Sequence, residues 1–249
     1  MKKIGIGIDE DTEKVLSSVV KSGISDQVVA YCKPGVILRD TGAISIHTSG
    51  CPEQDLVKDL MNGIIRAAIR GTLPANATLG ALKTAAGVDH LERIALLETA
   101  NGKKFLLAPV GVDEGWSVAE KVTLVMKGRD IAEKFGLSKR VAILSGGRQG
   151  DVGRSRKVDR SMADAELVAR LTGETHYEIL VETAISDAGV IIAPDGITGN
   201  LMFRTLTFLG AGHGHGAPVV NIDRIFVDTS RASPDYRNAI MLADSLSKL

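Results

Sequence analysis

The chain has 249 residues and carries 30 basic and 30 acidic side chains, so no net charge draws it onto nucleic acid or an anionic membrane surface. Its 44% apolar and 24% charged content is that of a chain that can bury a core, and excludes the disordered, collagen-like and disulfide-scaffold classes. Any anion site must therefore be local.

Met1-Lys2-Lys3 runs within a few residues into Asp9, Glu10 and Asp11, without the apolar region and small-residue cleavage site of a signal peptide. The apolar stretches at 141–144 and 190–193 are strand-sized, far short of the roughly 20 residues that span a bilayer. A cytoplasmic protein with no membrane partner and no nucleic-acid partner is expected. Cys32 and Cys51 stand without Cys-x-x-Cys spacing, so both are expected to be packing residues rather than parts of a disulfide or zinc ribbon.

Residues 3–8 alternate as a strand, and Val15, Leu16, Val19 and Val20 form the apolar face of a helix over 11–20. Strands follow at 28–31 and 43–46. Leu56, Val57, Leu60, Ile64 and Ile65 then predict one helix over 53–69 behind Pro52, and periodicity stops at 71–76, a candidate boundary. A helix at 78–86 precedes strands at 94–98 and 105–110, joined about Asn101-Gly102 as an antiparallel hairpin. The helix at 117–135, started at Trp116, ends at Gly136 and leads to a buried strand at 141–144. A helix at 158–171, a strand at 190–193, a helix at 201–209 and strands at 219–222 and 225–227 complete the alternation. Ser233 as N-cap, Pro234 in the first position and Asp235 in the first turn mark the last helix. Strands alternating with helices predict an α/β fold with mostly parallel sheets. Ligands of such sheets bind beyond the carboxyl ends of the strands, so function is sought there.

Three segments stand at those ends. After 141–144 comes Ser145-Gly146-Gly147-Arg148-Gln149-Gly150-Asp151-Val152-Gly153-Arg154, and residues 148–160 hold five cationic side chains against two carboxylates, a local charge of +3. Glycines that let backbone approach a ligand, followed by a helix N-terminus, suit a phosphate; a solvated loop whose arginines pair with carboxylates is the alternative. After 190–193 comes Pro194-Asp195-Gly196-Ile197-Thr198-Gly199-Asn200, in which Asp195 is a base, a hydrogen-bond acceptor for a ligand hydroxyl, or part of an Asp-Gly turn that caps a helix. After 225–227 comes Asp228-Thr229-Ser230-Arg231-Ala232-Ser233, where a hydroxyl, a guanidinium and helix amides can converge on one anion. Other motifs are weaker. Gly5-x-Gly7 meets Glu10 where a dinucleotide fingerprint needs glycine, and His213-Gly214-His215 reads as a flexible loop without further metal ligands. Walker A and Gly-x-Ser-x-Gly are absent.

Taken in order, the "LS" strand end with Val158-Asp159 downstream, the Pro194-Asp195 strand end running through Gly199-Asn200 to Arg204, and Ser230-Arg231 resemble the phosphate acetyl/butyryl transferase family, which includes the PlsX branch. The wording of 146–162 and 193–206 is most similar, within it, to the archaeal methanogenesis marker protein 4 (MtxX) group, described as a methyltransferase subunit. The resemblance implies a two-lobed isocitrate/isopropylmalate dehydrogenase-like α/β fold with mostly parallel sheets and an interlobe cleft. Its first lobe would combine 1–75 with 225–249, its second would hold 76–224, and the assembly would be a homodimer. It also implies acyl transfer between coenzyme A and phosphate, with coenzyme A or acyl-CoA as substrate and no tightly bound cofactor or metal.

In that reading Ser230, Arg231 and Asp195 are catalytic. Arg231 holds phosphate, Ser230 donates a hydrogen bond, and Asp195 serves as base, while Ser145, Gly146, Gly147, Arg148, Arg154, Thr198, Gly199 and Asn200 bind the phosphorylated substrate. The chain departs from the pattern at Arg237, where phosphotransacetylases have an aspartate seven residues after the serine. Asp235, about 200° away on a helix, does not replace it. The Gly-Gly-Arg-Gln-Gly loop is a second departure. The MtxX resemblance implies methyl transfer instead; with no S-adenosylmethionine fingerprint and no Asp-x-His-x-x-Gly corrinoid motif, the methyl carrier would come from a methyltransferase partner protein. A non-catalytic phosphoryl-ligand-binding protein is the third reading.

Overall fold

The computed structural model describes residues 2–37 and 41–248, so the expected lobe ends at Met1 and Leu249 lie outside the described residues. Alternating isoleucine and glycine in Ile4-Gly5-Ile6-Gly7-Ile8 form β1 (Ile4–Ile8), a strand fully buried along its length. There follow α1 (Thr12–Ser22), β2 (Val28–Cys32), β3 (Ser45–Thr48), α2 (Pro52–Met61), β4 (Ala67–Ile69), α3 (Ala75–Ala86), β5 (Ala95–Glu98), β6 (Lys104–Ala108), α4 (Val118–Lys134) and β7 (Val141–Ile143). The chain continues through α5 (Arg156–Thr172), β8 (Thr175–His176), α6 (Val181–Asp187), β9 (Val190–Ile192), α7 (Gly196–Phe208), β10 (His213–Pro218), β11 (Ile225–Asp228) and α8 (Arg237–Leu246). This is the mixed α/β, mostly parallel architecture the alternation predicts.

The chain divides into two compact units, one of Met1–Leu91 with His215–Leu249, the other of Glu92–Gly214. The bounds differ from 1–75 plus 225–249 and 76–224 because α3 packs into the first unit: Leu82 and Leu91 share its core with Tyr31, Leu56, Val57, Leu60, Leu73, Val219 and Phe226. The 71–76 break in periodicity is thus a loop inside a unit. In the first unit the strand order is β3-β2-β1-β4-β11-β10, parallel up to the antiparallel β10–β11 pair. In the second it is β5-β6-β9-β7-β8, parallel except for the expected β5–β6 hairpin.

The helix expected over 53–69 is instead α2 followed by β4. Asn62 ends α2, Gly63 takes a left-handed φ of 67°, and Ala67-Ala68-Ile69 pair with β1 on one side and β11 on the other. The strand expected at 219–222 lies earlier, as β10, so His213-Gly214-His215 is strand rather than loop. The helix at 201–209 begins earlier, at Gly196.

The start assigned to the last helix is also corrected. Residues 233–236 are not helical, because buried Tyr236 donates its N–H to the Ser18 hydroxyl and Asp235 accepts from Arg237 N, so α8 begins at Arg237 and Ser233 caps nothing. Trp116 is exposed and holds the start of α4 through its backbone, donating to Glu120 Oε2, while Ser117 caps the helix. Cys32 is buried as expected, but Cys51 is exposed at the head of α2. Among the described residues no helix is long and apolar enough to cross a membrane.

Candidate functional site

In the first unit the carboxyl ends of β1, β4 and β11 lie side by side and are tied together by polar groups. Asp9 N and Glu10 N, just past β1, both donate to the Thr72 hydroxyl, at 2.9 and 3.3 Å. Thr72 N returns a bond to Gly7 O, and Thr229 Oγ1 donates to Gly71 O. Gly71 has a φ of 60°, and a Cβ there would lie 2.0 Å from Gly7 O, so only glycine lets these loops meet. Gly5-x-Gly7 therefore serves packing, since a side chain at either glycine would collide with Leu56 or Leu73. Beneath lies a buried ion pair, Arg70 Nε to Asp228 Oδ1 at 2.5 Å, with Arg70 Nη1 also donating to Leu73 O. Arg70 escapes a reading of the sequence because it directly follows the helix expected over 53–69, where no strand end is anticipated.

Ser230 and Arg231 sit on this platform. Tyr236 donates from its hydroxyl to Ser230 O at 3.2 Å, and Ser230 Oγ accepts from Ala232 N. Arg231 projects into solvent and pairs with Glu10 at 3.5 Å, each side chain about half exposed (51% and 52%). An exposed pair of this kind is worth about 0–1 kcal/mol, so a ligand anion can displace Glu10 at little cost. Lys14 adds a second cation, donating to Arg231 O.

Burial pushes the Tyr236 phenol up to about 12, and burial together with the bond to Asp59 raises the Tyr31 phenol. In the unfolded chain a phenol ionises near pH 10. Below that pH folding loses nothing, and above it the unfolded chain releases protons that the fold retains, so stability falls. In a spectrophotometric titration the phenolate signal is expected to stay well below that of all three tyrosines until the chain unfolds. Full ionisation of a still-folded protein at about pH 11 would show that Tyr236 does not hold the Ser230-Arg231 segment.

In the second unit Ser145 follows β7, and its hydroxyl meets two groups, Gly147 O at 3.0 Å and His176 Nε2 at 2.9 Å. His176 reaches it because β7 and β8 pair in parallel with Ile143 opposite His176. The other ring nitrogen, Nδ1, lies 3.2 Å from Glu166 Oε2 on α5. Serine, histidine and carboxylate in this order are the parts of an activated nucleophile, but Ser145 is buried and its hydroxyl faces the loop. The chain of bonds shapes the turn at Gly146-Gly147. Sequence reasoning finds Ser145 but neither His176 nor Glu166, which lie 31 and 21 positions away and carry no motif.

The glycine-rich loop is not an open cradle of amides. Gly146 N donates to Ser161 Oγ, Arg148 N to Asp151 Oδ2, Gln149 N to Glu178 Oε1 and Gly153 N to Asp159 Oδ1. The protein's own carboxylates thus occupy three of these four donors, which corrects the expectation of backbone ready for a phosphate. Arg148 is exposed, and Arg154 pairs with Asp151 at 2.9 Å, as the solvated-loop reading has it.

Asp195 caps α7: its Oδ1 accepts from Thr198 N at 2.7 Å. Gly196 and Gly199 press the helix onto the 109–114 loop, and Asn200 Nδ2 donates to Val110 O at 3.0 Å. That loop is held from below by Glu114, a buried carboxylate accepting from Arg93 Nε and from Gly111 N. Burial pushes the Glu114 carboxyl up, against the opposing pull of Arg93. Thr198, Gly199 and Asn200 therefore fix the position of Asp195. Among the described residues no group of three or more His, Cys, Asp or Glu side chains could hold a metal ion.

The fold is shared with phosphotransacylases and with a dehydrogenase. A branched-chain phosphotransacylase from Enterococcus faecalis superposes with a TM-score of 0.78 at 16% identity, covering 99% of each chain. A phosphotransacetylase from Streptococcus pyogenes gives 0.67 at 13% identity, over 99% of this chain and 94% of that one. 4-Hydroxythreonine-4-phosphate dehydrogenase from Klebsiella pneumoniae gives 0.61 at 12%, over 99% and 100%. No family model matches the chain. In sequence, the chain is 43% identical to the "Putative methyltransferase mtx subunit X" of Methanosarcina mazei, over 99% of this chain and 91% of that protein. It is 36% identical to an "Uncharacterized methyltransferase" of Methanopyrus kandleri, over 98% and 99%. The chain belongs to the family of the Mtx subunit X proteins, transferases by name with the phosphotransacylase fold.

Proposed function

We propose that the protein is a phosphate acyltransferase-like enzyme that moves an acyl group between coenzyme A and phosphate or a related phosphorylated ligand. The observation that carries the reading is Arg231, presented with Ser230 beyond the carboxyl end of β11 and engaged by a weak, exposed pair with Glu10. Such a reaction needs a cation for the phosphoryl oxygens, donors aimed at the carbonyl oxygen as charge develops, and an acceptor for the thiol proton. Arg231 supplies the first, Ser230 a hydroxyl donor, and Asp195 a carboxylate whose Oδ2 lies outside its capping bond. The two-lobed dehydrogenase-like architecture, coenzyme A as substrate, a homodimer and a cytoplasmic setting belong to this proposal.

A second reading, methyl transfer together with a partner protein that supplies the methyl carrier, is favoured by the names of relatives at 43% and 36% identity. Calorimetry with coenzyme A, acetyl-CoA and inorganic phosphate separates the two. Arg231→Ala is expected to weaken phosphate binding about 10- to 100-fold, the worth of one or two hydrogen bonds to a charged group, with an unchanged circular dichroism spectrum. Unchanged phosphate affinity would remove Arg231 from the site. Failure of the parent protein to bind any of the three ligands would put methyl transfer first. Thiol-dependent arsenolysis of acyl-CoA then tests turnover, and binding without turnover would favour a non-catalytic phosphoryl-ligand-binding protein.

A further inference from the structure

A serine hydroxyl carries one proton, and Ser145 donates it to Gly147 O, a carbonyl that can only accept, at 3.0 Å. Its second neighbour, His176 Nε2 at 2.9 Å, must then be a donor with a proton of its own. The other ring nitrogen, Nδ1, faces Glu166 Oε2 at 3.2 Å, and an ionised carboxylate likewise only accepts. These contacts are made together only by a doubly protonated imidazole. A neutral ring has one N–H to offer at two places, so the loss of a proton must break or reverse one link of the chain.

Which link yields follows from the surroundings of the ring. Glu166 is the carboxylate that α5 places beside it, 69% exposed where the His176 side chain is 12% exposed, and Arg170, a turn further along α5, stands in solvent. β7 offers only the apolar Val141-Ala142-Ile143. In the loop and after β8, the carboxylates of Asp151 and Glu178 already accept from Arg148 N and Gln149 N, Asp151 also pairs with Arg154, and the Arg148 side chain is exposed. Glu166 is therefore the charge that selects the neutral tautomer, holding the remaining proton on Nδ1 as a carboxylate beside one ring nitrogen does. Nε2 is then a bare acceptor, and the Ser145 hydroxyl turns to it and leaves Gly147 O. Among the described residues no backbone N–H outside the regular elements donates to Gly147 O, so this buried carbonyl loses its donor and the turn loosens. Ser145, only 1% exposed, acts here as a relay.

We propose that His176 is a proton-operated positioning residue of the glycine-rich turn: doubly protonated, it clamps Gly147 O through the Ser145 hydroxyl, and neutral, it draws that hydroxyl to Nε2 and releases the turn. The one proton exchanged passes between the imidazole and water, and Ser145 keeps its own. Imidazole is the side chain that changes charge between about pH 5 and about pH 8, so the turn responds in that range. The switch belongs to the turn itself and does not depend on which group the protein transfers.

The test is an NMR titration of the full chain, isotopically labelled at histidine and arginine nitrogens, from about pH 5 to about pH 8. The Gly147 carbonyl and the Arg148 N–H share one peptide plane, so the Arg148 amide reports the bond to Gly147 O. In the parent, His176 is expected to pass from two N–H protons to one, on Nδ1, and the Arg148 amide to shift with the same midpoint. In Ser145→Ala, His176 still titrates and the Arg148 amide stays where it is; His176→Gln abolishes the Arg148 step. Glu166→Gln, an exposed substitution, should lower the common midpoint by about half a pH unit, the scale of an exposed ion pair. An Arg148 amide that is unmoved while His176 titrates, or that still moves in Ser145→Ala or His176→Gln, overturns the switch. So does a neutral His176 that keeps its proton on Nε2, because Glu166 is then the link that yields and the turn stays clamped. Should Ser145→Ala fail to fold, Glu166→Gln decides: midpoints of His176 and Arg148 that move together support the switch, and midpoints that separate overturn it.

Discussion

Arg70→Met is expected to destabilise the first unit by about 3–5 kcal/mol, the usual result of removing one partner from a buried ion pair. The reason lies in what remains. Asp228 keeps its bond from Thr229 N, but its charge is left in a site where the carboxylate is only 13% exposed and where Arg70 Nε had stood 2.5 Å away. Leu73 O also loses the donor it had in Arg70 Nη1. The companion variant separates the interaction from the site. Arg70→Met combined with Asp228→Asn removes both charges, and replacing a whole buried pair is often close to neutral, so the double variant should recover most of the loss. Urea denaturation of the four proteins of the cycle gives the coupling. A loss below about 1 kcal/mol in Arg70→Met would mean that water reaches the pair, since that is the worth of an exposed one. The prediction bears on function because the same residues carry the Ser230-Arg231 segment: Thr229, next to Asp228, bonds to Gly71 O, and Ser230 follows it.

That platform is only half legible in the sequence. Ser230-Arg231 can be found because a strand end, a hydroxyl, a guanidinium and a turn are contiguous. Arg70 cannot, because the apolar spacing from Leu56 to Ile65 continues in helical register past the true end of α2, and β4 contributes only three residues to contradict it. One local signal is present: Asn62-Gly63, a pair that ends helices, with Gly63 in the left-handed region. The last helix misleads for the opposite reason. Ser233-Pro234-Asp235 has every feature of a helix start, but the buried Tyr236 donates its N–H to Ser18 on α1, so tertiary contact overrides the local signal. His176 and Glu166 lie beyond sequence reasoning altogether, since strand register and a helix face, not spacing, bring them to Ser145. The alternating pattern, in contrast, defines the fold class well, because buried parallel strands such as β7 and β9 are short apolar runs bounded by glycine or polar turns.

The glycines of α7 read in the sequence as ligand-binding, and their substitution is expected to have the second large effect. A Cβ at Gly196 would fall 1.5 Å from Gly111 O, and one at Gly199 would fall 1.9 Å from Pro109 O. Both obstacles are backbone, which cannot swing aside as a side chain can, so Gly199→Ala must push α7 off the loop. Overpacking that moves backbone typically costs about 1–3 kcal/mol, and the upper end applies here because Asn200 would also lose Val110 O. Gly150→Ala is the control: nothing lies within 4 Å of its Cβ position, so a change of no more than about 0.5 kcal/mol is expected. Chemical denaturation of both variants decides it. Equal stability would mean that α7 tolerates displacement, and that its glycines are kept for close approach of a ligand instead. If Gly199→Ala is the less stable, phosphate titration of the folded fraction adds a second reading. Thr198, Gly199 and Asn200, the residues proposed to bind the phosphorylated substrate, all lie in the first turns of α7, so a shift of that helix should also weaken phosphate binding.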